Sequence, residues 1–174
     1  MEVVLYPDPR LRRRNAPVQR FDADLEALVR DMFEAMYRTK GVGLAAPQAG
    51  LNLRLLVYNP EGDPAKSQGE RVLCNPRIVW RSRDKDWGEE GCLSFPGIFA
   101  RIERPTAVHI EAQDLHGQPT RLELADWDGR IFQHELDHLE GILFIDRMTP
   151  SDKVRIKPLL DELAEKFSTA RAQA

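Results

Sequence analysis

The stretch QHELDHLEG, Gln133 to Gly141, constrains this chain more than any other. It sets two histidines, His134 and His138, four residues apart, with Glu135 directly after the first. Residues four apart on an α-helix lie on one face, so both imidazoles can aim a nitrogen at a single ion. Glu135 stands too close to the first ligand to share the ion readily. It can reach a water beside the ion, which is the general-base position of H-E-x-x-H enzymes. Two ordinary helix histidines are the competing reading, and the glutamate next to His134 weighs against it. A catalytic ion needs a third protein ligand and an open position, whereas a structural ion takes four ligands. The chain must therefore fold so that a distant segment delivers at least one donor to this helix.

Three completions of the site are open, each with its own function. The first is an endopeptidase. Gly141 falls where the H-E-x-x-H-x-x-G-x-x-H pattern wants glycine, but its last position is Phe144, which binds no metal. A downstream carboxylate, Glu162 or Glu165, is the remaining candidate, although both lie in the charged stretch DELAEK and read as a solvated face. The second is a closed structural site of Cys74, Cys92, His134 and His138, with no room for chemistry. Cys74 sits in VLCNP, a strand-like context in which cysteine usually serves as a small buried hydrophobe. The third uses Cys92 alone, in WGEEGCLSFPG, where Gly88, Gly91 and Gly97 surround one thiol. One thiolate and two imidazoles leave a fourth position open and suit zinc or ferrous iron.

A chain of 174 residues suits one domain, residues 1–174, and can bury a core without staples. A net charge of −3 argues neither for a nucleic-acid surface nor for a strongly acidic one, and no specific nucleic acid is expected as a partner. No apolar run is long enough to span a bilayer, and the opening MEVVLYPDPRL lacks the order of a signal peptide. With two cysteines a disulfide framework is excluded, and the cytoplasm is the expected compartment. The run Arg10, Arg12, Arg13, Arg14 reads as a solvated face, with an acidic partner as the alternative.

Periodicity then sets the elements. Leu25, Leu28, Val29, Met32, Phe33 and Met36 predict an N-terminal helix capped by Asp22 or Asp24 and ended by Gly41. Strands are expected at 53–59, 71–80, 106–114 and 119–124, with Pro76 marking an edge or bulge and LHGQ (115–118) a hairpin turn. The metal helix should be capped by Asp126 or Asp128 and closed by Gly141. A C-terminal helix is expected over about 151–170, with Pro158 starting or interrupting it. Strands in the middle and helices at both ends predict an α+β fold. His109, in a strand, and His116, in a turn, read as satisfied or solvated, and Trp80, Trp87 and Trp127 as packing groups.

Three stretches in order, GVGLAAPQAG (41–50), EGCLS (90–94) and QHELDHLEG (133–141), resemble the peptide deformylase family. Its patterns are G-φ-G-φ-A-x-x-Q, E-G-C-φ-S and H-E-φ-D-H-φ-x-G, where φ is apolar. YPDPRLRRRNAPV also looks like the family's N-terminal segment, so the resemblance runs from about residue 4 to residue 148. It implies antiparallel sheets packed around the metal-binding helix, and removal of the formyl group from N-formylmethionyl nascent peptides. It implies Cys92, His134 and His138 as metal ligands and Glu135 as the acid–base group. Gln48 and the backbone N–H of Leu93 match the donors to the developing oxyanion, and Gly43 matches a glycine beside the substrate. The implied cofactor is one divalent ion, Fe2+ first and Zn2+ or another ion as the alternative. Val42 and Ile131 are placed at the methionine pocket, with the Arg130 stem along a wall and its charge in water. Glu90, and Asp137 beside it as an alternative to a solvated face, are candidates to orient a ligand. In bacterial members the C-terminal helix can contribute to ribosome docking; the mixed charges here, Lys153 to Glu162, neither support nor oppose that.

Overall fold

The apolar residues at helical spacing do wind into α1, Ala23–Arg38. Asp22 is its cap: the carboxylate accepts from the Leu25 backbone N–H at 3.2 Å, satisfying a donor that a helix start leaves open. At the far end the Thr39 hydroxyl donates to the Ala35 and Met36 carbonyls. Lys40 then turns the chain with φ 58°, so the stop expected at Gly41 falls one residue earlier. The computed structural model describes residues 1–172 of the chain.

The four expected strands are present as β2 (Leu55–Tyr58), β3 (Arg71–Arg81), β6 (Ala107–Gln113) and β7 (Pro119–Ala125). With a short β1 (Gly43–Ala45) they make one antiparallel sheet, in the order β1-β2-β3-β6-β7. Two further strands, β4 (Lys85–Gly91) and β5 (Phe99–Pro105), pair only with each other among the described residues. Neither was expected from sequence. The inward residues of β5 are Ala100, Ile102 and Arg104, so an arginine interrupts the apolar alternation. In β4 the corresponding buried residue is Glu90. A period of two written partly in charged residues does not read as a strand.

Pro76 does mark a bulge, because the β3–β6 register slips between Cys74 and Arg77. Asn75 sits there with φ 52°. Its amide clips the N-terminal segment to the sheet: Oδ1 accepts from the Val18 N–H at 2.8 Å, and Nδ2 donates to the Val18 carbonyl at 2.9 Å and to Gln113 at 2.6 Å.

The helix α2, Asp126–Leu139, starts without the expected side-chain cap. Its N-cap is Ala125, and Asp126 enters with φ 50° while its N–H bonds the Thr106 carbonyl. Gly141 closes the helix as expected, with φ 73°. From Gly129 to Leu139 every residue of α2 is buried, so this is a central helix. One face of the sheet packs on α1 through Leu25, Val29, Met32, Leu44, Leu55 and Val57. The other packs on α2 through Leu56, Ile110, Leu124, Ile131, Phe132 and Leu136. A third cluster joins Leu11, Phe95, Ile98, Ile102, Phe144 and Ile156, and so ties β5 to the C-terminal helix α3, Pro150–Ala172. Pro158 lies inside α3 and neither starts nor ends it. The architecture is thus α+β, with antiparallel sheets around the central helix and a helix toward each end of the chain.

Arg12, Arg13 and Arg14 are exposed, as a solvated face requires, and three members of the run make ion pairs within the chain. Arg10 pairs with Asp8 at 2.7 Å, Arg12 with Asp146, and Arg14 with Glu140 at 2.9 Å, all within the chain. Replacing Asn75 with alanine removes three hydrogen bonds and leaves a Cβ residue at positive φ. The expected loss is about 2–4 kcal/mol of unfolding free energy, read from the denaturant midpoint. An unchanged midpoint would show that the bulge does not anchor the N-terminal segment.

Candidate metal centre

One turn of α2 separates His134 from His138, and their ring centroids lie 5.2 Å apart. Cys92 follows directly on β4, which runs alongside this helix. The Cys92 Sγ is 3.3 Å from His138 Nε2, and the ligand atoms of Cys92, His134 and His138 all lie within 4.8 Å of one another. Two segments 46 residues apart in sequence thus meet at one point.

Glu90 orients the first histidine. Its Oε2 lies 2.9 Å from His134 Nδ1, which leaves Nε2 for the cluster. The same carboxylate accepts from Arg104 at 2.6 and 2.8 Å and from Arg130 at 3.0 Å. Burial alone would raise its pKa, but the Arg104 and His134 hydrogen bonds and charges hold it well below the usual carboxylate range. Arg104 reaches on to Asp137 at 2.8 Å, and Arg147 clamps Asp137 through two bonds of 2.6 Å. Asp137 is therefore buried and paired, not a solvated face, and it acts on Arg104 rather than on a ligand.

The three site groups on α2 are shifted in different directions for physical reasons. Burial would lower the His134 pKa, but the sulfur of Cys92 and the Glu90 carboxylate outweigh it and hold the ring well above its ordinary value. Burial, with the nearby charges of His134 and Arg104, holds His138 well below it. Burial pushes the Glu135 carboxyl up to about 7, with His134 opposing and Glu90 adding to the rise. Glu135 Oε2 is buried and has no hydrogen-bond partner among the described residues. A buried oxygen of that kind calls for a water, an ion or a substrate. One thiol, two imidazoles and an unpartnered carboxylate alongside fit a divalent cation of borderline softness with an open coordination position.

The first glycine-rich stretch faces this cluster. A Cβ at Gly43 would collide with Glu135 Oε1, and one at Gly41 would meet Leu93 Cδ1 at 2.6 Å. The 3-10 turn Ala46–Ala49 presents Gln48, which is buried. Its Oε1 accepts from the Ala45 N–H at 2.8 Å, and its Nε2 lies 3.2 Å from Ser94 Oγ and 3.5 Å from Cys92 Sγ. A cavity of about 780 Å³ opens over the cluster and is lined by Val42, Gly43, Leu93, Ile131 and Glu135 among others.

Several expectations change here. Cys74 lies in the core under α1, its thiol pushed up to about 12 by burial, and takes no part in the cluster. Glu162 is exposed on α3 and pairs with Lys166 at 2.6 Å, so it supplies no ligand. Phe144, where a metzincin-type site would place histidine, packs its ring 5.9 Å from that of His134. The Arg130 charge does not reach water; it is buried against Asp86, Glu90 and Ile102. The tryptophans are all about half exposed, and Trp127 lines the cavity while its Nε1 donates to the Pro60 carbonyl at 3.1 Å. Trp80 packs at a tilt against His109, and His116 is exposed near Glu26. Sequence reasoning missed Arg104, Arg147 and Ser94. The inward position of Arg104 in FARIERP was the one available signal.

A family model for polypeptide deformylase matches residues 1–154. The chain is 47% identical over 167 residues to peptide deformylase 1B, chloroplastic/mitochondrial, of Arabidopsis thaliana, covering 96% of this chain and 61% of that protein. It spans about three fifths of the length of that plant relative. Against the peptide deformylase of Thermotoga neapolitana it is 40% identical over 163 residues, covering 94% of this chain and 96% of the other. A crystal structure of peptide deformylase from Plasmodium falciparum superposes with a TM-score of 0.94 at 46% identity, covering 96% of this chain and 97% of that one.

Replacing Cys92 with alanine should abolish stoichiometric metal in elemental analysis of protein purified without air, whereas Cys74→Ser should retain it. Metal lost from the Cys74 variant alone would reverse the assignment.

Proposed function

The chain belongs to the polypeptide deformylase family, and on that premise we propose that it removes the formyl group from the N-terminal formylmethionine of new proteins, releasing formate. The observation that carries the reading is the convergence of Cys92, His134 and His138 beside the buried, unpartnered Glu135 Oε2 at the cavity. A closed structural site needs Cys74, which lies elsewhere, and an endopeptidase needs an acidic ligand for which α3 offers no candidate near the cluster.

Cys92, His134 and His138 would hold one divalent ion, ferrous iron first and zinc as the alternative. When bound, such an ion supplies the Lewis acidity that acidifies water and polarises a carbonyl. The remaining work falls to the chain's own groups. Val42, Gly43 and Ile131 receive the methionine, and the absent side chain at 43 lets both Glu135 and the substrate backbone come close. Glu135 Oε2 takes a proton from the attacking water, whose oxygen joins the formyl carbon. It then returns that proton to the amine nitrogen as the C–N bond breaks. A carboxyl pushed up to about 7 is suited to both halves of that transfer near neutral pH.

The developing oxyanion needs donors held in place beforehand. Gln48 is anchored through its Oε1 to Ala45, and its amide nitrogen carries two hydrogens, of which Ser94 takes one. The second faces the Cys92 sulfur at 3.5 Å and is proposed to turn to the substrate oxygen, and the Leu93 N–H is the other proposed donor. Glu90 and Arg104 hold His134 in the tautomer that presents Nε2.

The site and its supports are proposed to lie in one catalytic domain over residues 1–174, working in the cytoplasm on nascent peptides. No helix among the described residues is long and apolar enough to cross a membrane. Ribosome docking would fall to α3, where Lys157 and Lys166 pair with Asp161 and Glu162 one turn away.

Glu135→Gln should keep the fold and the bound metal while formate release from a formyl-Met peptide falls by about 10²–10⁴. Near-normal turnover by this variant rejects its role. The wild-type chain should release formate and cleave no internal peptide bond; internal cleavage without formate would favour the endopeptidase.

A further inference from the structure

We propose that Arg130 is a positioning residue of the metal centre, pinning the hairpin that carries Cys92 to the helix that carries His134 and His138. The proposal rests on the metal-dependent reading above and concerns a residue outside all three sequence motifs.

The β4–β5 hairpin is a two-stranded sheet, and an isolated hairpin is marginal in water. Cys92 follows directly on β4, so its sulfur goes where the hairpin goes. Arg130 projects from the first half of α2 and grips both strands. Its Nη2 donates to Asp86 Oδ1 at 2.6 Å and to the Asp86 carbonyl at 3.1 Å, both on β4. Its Nη1 donates to the Ile102 carbonyl on β5 at 2.9 Å. That same nitrogen donates to Glu90 Oε1 at 3.0 Å, the carboxylate whose other oxygen orients His134. One planar fork therefore fixes the thiol-bearing hairpin and the ring of the first histidine together.

The strand is shaped around this side chain. A Cβ at Gly88, in the middle of β4, would meet the Arg130 guanidinium carbon and Nε at 2.6 Å. Lysine offers a compact point charge and cannot reproduce a fork spanning two strands. Glu90 to His134, Gln133 to the Pro105 carbonyl and Arg104 make further polar links between hairpin and helix, and Arg104 starts from β5 and ends on Asp137, one residue before His138. Arg130 and Arg104 thus hold the hairpin at two separated points of α2. A merely space-filling stem would need none of these bonds.

The test reads the ion rather than turnover, because Arg130 also lines the cavity and its loss would alter KM for other reasons. The wild-type chain is loaded with cobalt(II). The thiolate-to-cobalt charge-transfer band and the rate of cobalt loss to a chelator are then measured for wild type, Arg130→Met, Arg130→Lys and Gly88→Ala. Groups that orient metal ligands typically change affinity 10–100-fold. Arg130→Met is expected to release cobalt about 10-fold faster or more, with a weakened or shifted band. Gly88→Ala should do the same, by displacing the guanidinium from the other side, and Arg130→Lys should fail to restore the wild-type rate. If Arg130→Met does not fold, the other two variants carry the test. Asn75→Ala, destabilised far from the site, should leave band and rate unchanged; the same change there would reduce the effect to stability and overturn the proposal. Wild-type band and release rate in the Arg130 and Gly88 variants would also overturn it, while leaving the metal centre intact. A wild-type chain that takes up no cobalt would sink the centre itself and this proposal with it.

Discussion

Glu90 is buried with both carboxylate oxygens engaged, Oε1 by Arg104 and Arg130 and Oε2 by Arg104 and the His134 ring. The position of the site depends on this cluster of charges. Burying an ion pair costs its hydration, and an apolar pair of similar size is often as stable. Breaking one is another matter, since an uncompensated buried charge costs about 3–5 kcal/mol. Directed bonds also supply what apolar packing does not. The hydrophobic effect is non-directional, and the hairpin could slide on α2 with little change in buried area. Hydrogen bonds from two guanidinium groups permit one arrangement, and that arrangement brings a sulfur to within reach of two imidazoles.

The three sequence motifs are three faces of one contact. Gly41 and Gly43 lack side chains where Leu93 of the second motif and Glu135 of the third occupy the space. Gln48 of the first motif reaches the sulfur and Ser94 of the second. Glu90 of the second reaches His134 of the third. A change in any one motif is therefore felt as a packing or hydrogen-bonding fault in another, which gives a physical reason for the three to occur together.

The cavity above the cluster has mixed walls, and its chemistry follows from them. Phe144 packs against the His134 ring and edge-on to Phe95, which itself lines the cavity. Trp127 and Phe99 stand half exposed along the cavity. Burial in this setting is what raises the Glu135 carboxyl.

Much was determined by the sequence alone. The spacing of His134 and His138 requires a shared helical face, the apolar periods require α1 and four of the strands, and Pro76 marks an edge or bulge. These are local properties, set by helix pitch, strand alternation and the steric demands of single residues; that Pro76 marks a bulge rather than an edge, and that Asn75 occupies it, came from the structure. Cys92 was one of two thiols, and without the resemblance the residues left three ways to complete the site. Only the tertiary structure decided among them, because register and burial bring together side chains 44 and 46 residues apart. The hairpin carrying the thiol was illegible for the same reason. Its inward face is completed by Glu90 and Arg104, which stand opposite Ala100 and Asp86 in the register yet join through their side chains, and such a pairing across strands leaves no period in either strand read alone.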